Sequence, residues 1–375
     1  MKVCILTSAH PPLDARIFHK EAQTLRQAGY EVVIIAPHPA SETVGGIRIC
    51  AVPPVTSRRE RFLRTRDIYA QAKREQADIY HFHDPDLIPV GLLLQKRCHK
   101  PVIYDVHEYY GDSLLTRHWI PKGLRPIVAR TVNYLEKRAA RSFAAIITVN
   151  THMAGLFKRE NPVGVILHNY PLASQFVFPR PEVAKAPFVL YLGGINRERG
   201  LEVILQAMVL VKAKFPGIKC ELVGPVDTAD LSPQFSDLAG WLERGNVQLR
   251  GKVPYTEVPK LLAQSSLALV PLLPTLNYQK AIPVKLLEYM AAGLPVVGSR
   301  FGYIEAIIRQ NHCGRLAEAG NPEALAAEIC SLLEDPAAAL ACGQNGWDAF
   351  HQCYTWESEQ TKLIDLYAGI LRRAT

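Results

Sequence analysis

The sequence predicts an α/β protein of two bodies, each a parallel sheet flanked by helices, and three observations predict it. Lys2 to Ser8 reads as a buried strand, Ile17 to Ala28 as a helix and Glu31 to Ala36 as a second strand, which together make a βαβ unit. A second run of such units starts at Phe188, after an irregular stretch with prolines at 171, 179, 181 and 187. Charge divides at nearly the same place. Residues 1–180 carry 25 Lys and Arg against 15 Asp and Glu, whereas residues 181–375 carry 18 against 20. A chain of 375 residues, 48% of them hydrophobic, is long enough to bury two separate cores.

Composition narrows the function classes. Mean hydropathy is +0.01, and no apolar run approaches the roughly 18 residues that span a bilayer. The opening MKVCILTSAHPP has too short an apolar run for a signal peptide and reads as the first strand. Eight cysteines are scattered at 4, 50, 98, 220, 313, 330, 342 and 353 with no C-x-x-C. Neither a zinc site nor a disulfide framework is therefore expected, and a reduced, cytoplasmic setting is. The basic first half lacks any helix-turn-helix, zinc or aromatic-stacking signature for nucleic acid. An anionic membrane face or a phosphorylated acceptor lipid suits it better.

In chain order, the first strand ends in the loop His10-Pro11-Pro12-Leu13-Asp14-Ala15-Arg16. Ligands of parallel sheets collect at the carboxyl ends of strands, so His10, Asp14 and Arg16 are candidate site residues. A helix cap at Asp14 and simple exposure of Arg16 are the competing readings. No G-x-G-x-x-G is present. Residues 57–76 read as a strongly basic helix with Phe62, Leu63, Ile68 and Tyr69 as sparse apolar contacts. Asp78 to Pro85 then reads as a strand entering a loop crowded with His81, His83, Asp84 and Asp86. His-x-His-Asp has no second ligand group elsewhere in the sequence, so no metal is expected. Pro101 to Val106 is another buried strand and delivers His107-Glu108 at its carboxyl end. Residues 120–145 read as an amphipathic helix with Leu124, Val128 and Leu135 on one side and Arg125, Arg130, Lys137, Arg138 and Arg141 elsewhere. Ala144 to Val149 and Val165 to Leu167 are the last strands of this half, and 169–187 reads as the interdomain linker.

The second half repeats the pattern. Phe188 to Leu192 is a strand, Gly193 to Gly200 its loop and Leu201 to Lys214 its helix. Gly193 and Gly194 let backbone approach a ligand, and Arg199 stands at the helix start, where phosphate would sit. Lys219 to Val223, a short strand and turn over Asn246 to Val253, a helix over Val258 to Ala263 and a strand over Ser266 to Pro271 follow. Asn277 to Gly302 is the most informative stretch: NYQKAIPVKLLEYMAAGLPVVGSRFG. Pro283 suits the first turn of a helix, Leu286, Leu287, Met290 and Ala291 fall on its buried side, and Gly293 stops it before a buried strand at Val296. Such a helix points a positive dipole end at the preceding loop. Lys285 adds a charge, and Glu288, one turn on, offers a carboxylate for vicinal hydroxyls. Diphosphate beside ribose fits that pairing, and an ordinary solvated i,i+3 ion pair is the alternative. Residues 322–352 form closing helices, and Trp356 to Leu371 carries Leu363, Ile364, Leu366 and Tyr367 at helical spacing.

PVKLLEYMAAGLPVV resembles the donor-binding helix of the retaining glycosyltransferases of family 4, which have the GT-B fold. The resemblance covers nearly the whole chain and is strongest over 188–300. It implies two Rossmann-like domains with a cleft between them: residues 1–168 with the last helix, 356–375, on the acceptor side, and 188–355 holding a nucleotide sugar. In that family a Glu-x7-Glu pair precedes the small-residue run, its second Glu binding ribose and its first the donor sugar. Glu288 matches the second; the first falls on Lys280, so sugar selectivity is not carried over. The family pattern Gly-Arg-Leu-x-x-x-Lys-Gly places its lysine at Arg199 and its arginine at Gly194, and Lys285 is read as standing in for the missing cation. The family's base-reading turn makes Lys252 and Val253 donor-site candidates, with Leu286 and Leu287 on the donor helix. A family histidine that faces the donor sugar matches His107.

The resemblance thus implies glycosyl transfer with retention, from a nucleotide sugar to a glycan, glycolipid or lipid-linked acceptor in cell-surface polysaccharide or glycoconjugate biosynthesis. No metal or other cofactor is expected, and His107 and Glu288 are the catalytic candidates. The enzyme is expected in the cytoplasm, with peripheral contact to an anionic membrane at its inner face. Two alternatives share the fold: a UDP-sugar 2-epimerase, and a non-catalytic nucleotide-sugar-binding subunit.

Overall fold

The structure is a computed structural model and describes residues 1–54, 57–107, 109–115, 120–161, 163–182, 188–254 and 257–374. Glu108 and residues 183–187 of the stretch read as a linker lie outside the described residues. The chain divides into two compact units, Met1–Asn169 with Trp356–Thr375, and Tyr170–Thr355.

In the first unit, β1 (Lys2–Leu6), β2 (Glu31–Pro37), β3 (Glu42–Val44), β4 (Ile47–Val52), β5 (Ile79–Phe82), β6 (Val102–Val106), β7 (Ala145–Thr148) and β8 (Gly164–Ile166) form one sheet. Its order is β3-β4-β2-β1-β5-β6-β7-β8, parallel except where β3 runs antiparallel to β4. Val3 to Leu6 and Val33 to Ala36 are completely buried, as continuous apolar runs are when helices cover both faces of a parallel sheet. The β3–β4 hairpin turns at Gly45 and Gly46, both at positive φ, a two-residue turn of the kind strand twist favours.

Two helices differ from the sequence reading in the face they bury. In Arg58–Glu75, capped by Ser57 accepting from the Glu60 N–H, Ile68 and Ala72 are buried in the core and Tyr69 packs half-buried against it, while Phe62 and Leu63 are 63% and 60% exposed. Along Arg125–Ala140 the expected stripe divides: Val128 is half-buried against Leu114, Ile120 and Ala129, whereas Leu124, just before the helix, and Leu135 are 51% and 57% exposed, as are Ile127 and Tyr134 to a similar degree. The buried side is Ala139 and Ala140, in the cluster of Val102, Tyr104 and Ile146, then Ala129, packed with Leu114 and Ile120, and Glu136, whose carboxylate accepts a 2.6 Å hydrogen bond from Tyr104. The last helix, Trp356–Ala374, belongs to this unit: Trp356 Nε1 donates to Thr24 Oγ1 at 2.9 Å, and Tyr367 Oη bonds His81 Nδ1 at 2.8 Å.

The second unit holds β9 (Phe188–Leu192), β10 (Lys219–Val223), β11 (Val247–Gly251), β12 (Leu267–Val270), β13 (Val296–Ser299) and β14 (Gly314–Ala317). They are all parallel in the order β11-β10-β9-β12-β13-β14, the doubly wound 3-2-1-4-5-6 arrangement. The proline-rich stretch read as a linker is packed against this unit over its described part. Tyr170 and Phe176 are buried in the core beside Met290 and Phe350, the Phe178 carbonyl accepts from Trp347 Nε1, and Arg180 pairs with Asp348. Prolines lower the count of N–H groups to be satisfied, while the aromatic rings between them supply burial. Strand order reverses between β9 and β12 here, and between β1 and β5 in the first unit, and ligands of such sheets bind at those reversals.

Candidate active site

In the second unit the loop after β9 meets the stretch after β12 at very close range. A Cβ at Gly200 would collide with the Pro271 carbonyl, and one at Gly224, after β10, with the Gly193 carbonyl. Gly193 has φ +113, and a Cβ there would stand 3.0 Å from Lys285 Nζ and 3.4 Å from Arg199 Nη1. Both constraints require glycine. Arg199 also borders Gly194, 3.5 Å from where its Cβ would be, so this side chain fills the space beside the residue that replaces the family's arginine. It is held by Tyr278 Oη, 3.1 Å from its Nε, while its backbone N–H donates to Asn196 Oδ1.

Pro283 is the N-cap of the helix Val284–Ala291, in an extended conformation and with no side-chain cap bond. The helix therefore leaves N–H groups of its first turn for another acceptor, apart from Leu286, whose N–H returns to the Pro283 carbonyl at 3.0 Å. Tyr289 Oη accepts from the Leu192 N–H at 2.7 Å and ties this helix to β9. Lys285 Nζ lies 3.7 Å from the centroid of the Tyr191 ring, shielded from solvent and with no hydrogen-bond partner among the described residues. Burial, then the Arg199 charge, pushes the Lys285 amine well below the ordinary lysine range, and Glu288 only partly opposes this. Two cations and a helix start thus converge on a glycine loop, an arrangement that receives a polyanion.

Other predicted donor residues fall differently. Leu286 and Leu287 are completely buried core side chains, so a ligand would meet only the backbone of that turn. Lys252 is exposed and Val253 half-buried, directly after Gly251, whose φ is +69. Glu288 is half-buried one turn beyond Lys285.

In the first unit, Asp14 caps a π-helical segment, Ala15–Ala22, accepting from the N–H groups of Arg16 at 2.8 Å and Ile17 at 3.1 Å. The wider turn brings Arg16, Lys20 and Glu21 onto one buried face. Arg16, expected in the acceptor-side loop, is instead 4% exposed: it grips Asp105 Oδ2 through Nε and Nη2 at 3.1 and 2.7 Å and donates to the Leu167 carbonyl. Asp84 anchors the loop after β1, accepting from Thr7 Oγ1 and the Ser8 N–H at 2.7 Å each. His10, partly exposed in that loop, puts Nε2 3.2 Å from His107 Nε2, so one ring donates and the other accepts. His107 Nδ1 lies 3.5 Å from Asp105 Oδ1. Burial alone would lower the His107 pKa, and the Asp105 carboxylate outweighs it and raises it. Asp105 is itself held well below the carboxylate range, burial notwithstanding, by Arg16 and its histidine neighbours. Glu21, His81 and His83 complete a wholly buried polar cluster behind it.

Residues 15–168 match the family model described as Glycosyltransferase Family 4, and residues 186–335 the one described as Glycosyl transferases group 1. A phosphatidyl-myo-inositol mannosyltransferase of Mycolicibacterium smegmatis is 25% identical over 363 residues, covering 93% of this chain and 88% of that one. The chain belongs to the family 4-like glycosyltransferases of the GT-B fold. Among solved structures, sucrose-phosphate synthase from Thermosynechococcus elongatus shares the fold with this glycosyltransferase at TM-score 0.75 and 18% identity over 99% of both chains. HepE of Anabaena, solved with UDP, superimposes at TM-score 0.73 and 14% identity over 98% of this chain and 100% of its own, and has also been solved with UDP-glucose. In the present enzyme Gly193, Gly194, Arg199, Lys285 and Glu288 are gathered in one unit, and His10 and His107 touch in the other. Glu21 and Asp105 escaped the sequence reading because nothing in their own neighbourhoods marks them, and only the parallel sheet brings them to His81 and His83.

Proposed function

We propose that this glycosyltransferase moves a sugar, with retention, from a nucleoside-diphosphate sugar to a glycan, glycolipid or lipid-linked acceptor of cell-surface glycoconjugate biosynthesis. The observation that carries the donor reading is Lys285: a buried ammonium with no hydrogen-bond partner among the described residues, beside Arg199 and at a helix start. A diphosphate gives it the missing acceptor, relieves its repulsion with Arg199 and takes the unpaired N–H groups. As the glycosyl bond breaks, charge grows on the departing phosphate, and these fixed groups stabilise it without a divalent metal at the donor. Glu288 is suited to the ribose hydroxyls. The acceptor oxygen attacks the anomeric carbon on the face the phosphate leaves, and its proton passes to that phosphate. His107 orients the sugar and is no nucleophile.

The membrane reading draws support from the surface. Phe62, Leu63, Leu124, Ile127, Tyr134 and Leu135 stand exposed on two helices whose exposed cations include Arg66, Arg130 and Arg138. Among the described residues no helix is long and apolar enough to cross a membrane. Basic groups near an anionic leaflet contribute about 1 kcal/mol each, and the apolar side chains add insertion. A lipid acceptor is in keeping with the relative whose name carries phosphatidyl-myo-inositol.

The test is a thermal-shift screen of UDP-, GDP-, dTDP- and ADP-sugars, where a donor at 100 times its Kd adds about 2.7 kcal/mol. Turnover with the stabilising donor is then followed by NMR of the product, with and without EDTA. Stabilisation by none of the four overturns the donor reading. An inverted anomeric configuration overturns retention, and loss of turnover in EDTA that excess magnesium alone restores overturns metal independence at the donor.

A further inference from the structure

The geometry points to a structural site for a divalent transition metal, of the zinc class, inside the first unit, with Glu21, His81, His83 and Asp105 as its ligands. Each of these side chains offers a ligand atom, the four atoms lie within 4.8 Å of one another, and all four residues are buried. They come from three elements, the π-helical segment Ala15–Ala22, the β5 end and β6, so the site joins the chain's first crossover to the middle of the sheet.

What marks the cluster as a ligand set is its unfilled bonding capacity. Arg16 takes Asp105 Oδ2 and stands 2.9 Å from Glu21 Oε1. Tyr367 takes His81 Nδ1, which fixes that ring and leaves Nε2 as the inward atom, as outer-sphere partners of metal-bound histidines do. His81 Nε2, both nitrogens of His83 and Glu21 Oε2 then have no hydrogen-bond partner among the described residues, while Glu21 Oε1 has only the Arg16 ion pair and Asp105 Oδ1 only His107 Nδ1 at 3.5 Å. Leaving so many buried polar atoms unsatisfied is costly.

A proton on Glu21 is the competing remedy, and the spacing argues against it. One proton supplies one hydrogen bond, to His83 Nε2, 3.4 Å from Glu21 Oε2. His81 Nε2 and His83 Nδ1 would still face Asp105 Oδ2 from 3.9 Å each, too far for hydrogen bonds. Separations of this order are instead what neighbouring ligands span around one ion, about 3.4 Å at the tetrahedral angle when each bond is about 2.1 Å. Two imidazoles with two carboxylates favour zinc, or manganese and iron of like charge, over magnesium or calcium, which take oxygen ligands. With every ligand buried, the site is closed to substrate, and its role is to hold the segment that carries Arg16 against β6, whose Asp105 lies beside His107. The donor site of the other unit has no part in it.

The test uses the full chain carrying Cys353→Ser, because Cys353 is an exposed thiol that collects soft metals. The protein is refolded from denaturant with zinc or with a chelator, desalted, and assayed for metal content and thermal midpoint. About one zinc per chain and a midpoint several degrees above the chelator-refolded sample are expected. Cobalt refolding should give the visible absorption of a four-coordinate nitrogen–oxygen site, and His83→Cys should add a thiolate-to-cobalt band in the near ultraviolet. Glu21→Gln, checked for folding by circular dichroism, should lower occupancy at least tenfold. Sub-stoichiometric zinc in the refolded protein overturns the proposal. So does bound metal whose cobalt spectrum is unchanged by His83→Cys, since that metal lies elsewhere.

Discussion

Lys285→Met separates a binding residue from a structural one because it should move stability and affinity in opposite directions. Methionine keeps the length and apolar stem of the side chain and deletes its charge. Lys285 Nζ and Arg199 Nη1 both lie close to the position of a Gly193 Cβ, which sets them no more than about 6 Å apart. At an effective dielectric of about 20, two unit charges at that distance repel by about 2–3 kcal/mol. No hydrogen bond among the described residues offsets this, and the Tyr191 face and Glu288 offset only part of it. The free variant should therefore unfold at the same or a higher urea concentration, by up to about 2 kcal/mol, whereas truncating an ordinary buried contact destabilises.

Nucleoside-diphosphate affinity should fall by about 1.5–3 kcal/mol, the worth of a charged hydrogen bond, or roughly 10- to 100-fold in Kd by calorimetry. Protonation gives a second readout. The folded, ligand-free amine titrates below the ordinary 10.5, so over that window the unfolded chain binds more protons and the apo protein gains stability as pH rises. A bound diphosphate raises the pKa again, so binding within the window takes up a proton, visible as a buffer-dependent enthalpy that Lys285→Met abolishes. A variant that is less stable, binds diphosphate normally and takes up the same protons would refute the assignment.

Four further outcomes follow from the same geometry. Glu288→Gln should lower kcat/KM at least about tenfold while leaving the unfolding midpoint within about 1 kcal/mol, since its carboxylate is half-buried. Wild-type kinetics would remove it from the site. His107→Ala should depress kcat more than donor affinity, and an unchanged kcat in steady-state assays would make it a purely structural partner of Asp105 and His10. The Glu75 carboxylate, though burial opposes it, is pulled down to about 2 by Arg48 and Lys2, and so stabilises above the ordinary 4.5. That stability is lost as pH falls from 4.5 towards 2, and Glu75→Gln should remove on the order of 1–2 kcal/mol at neutral pH but little at pH 2, by urea titration. Anionic vesicles should co-sediment the protein at low salt and release it at high salt, and Leu63→Ser with Leu135→Ser should weaken capture without changing turnover of a soluble acceptor.

The two βαβ runs were legible without the structure, because parallel strands buried along their centres, such as β1, β2 and β9, need unbroken apolar runs and carry their own signal. The helix Val284–Ala291 was legible too, since Pro283 and Gly293 bracket the run locally and helical spacing sets Lys285 and Glu288 one turn apart. The β3–β4 hairpin was illegible because its strands are short and mixed in polarity. Which side of Arg125–Ala140 faces inward was decided by tertiary packing. Ala139 and Ala140 join the sheet's cluster, Glu136 bonds Tyr104, and Ala129 with Val128 packs on Leu114 and Ile120, which leaves Leu124 and Leu135 outside. The Asp14 cap is local, bonding the N–H groups two and three residues on, and was legible as one of two readings, whereas tertiary structure alone took Arg16 from the same loop into a buried ion pair with Asp105. The same holds for the group of Glu21, His81, His83 and Asp105. Its members sit on different elements, and sequence spacing carries no information about side chains that only the strand order and a π-helical turn bring together.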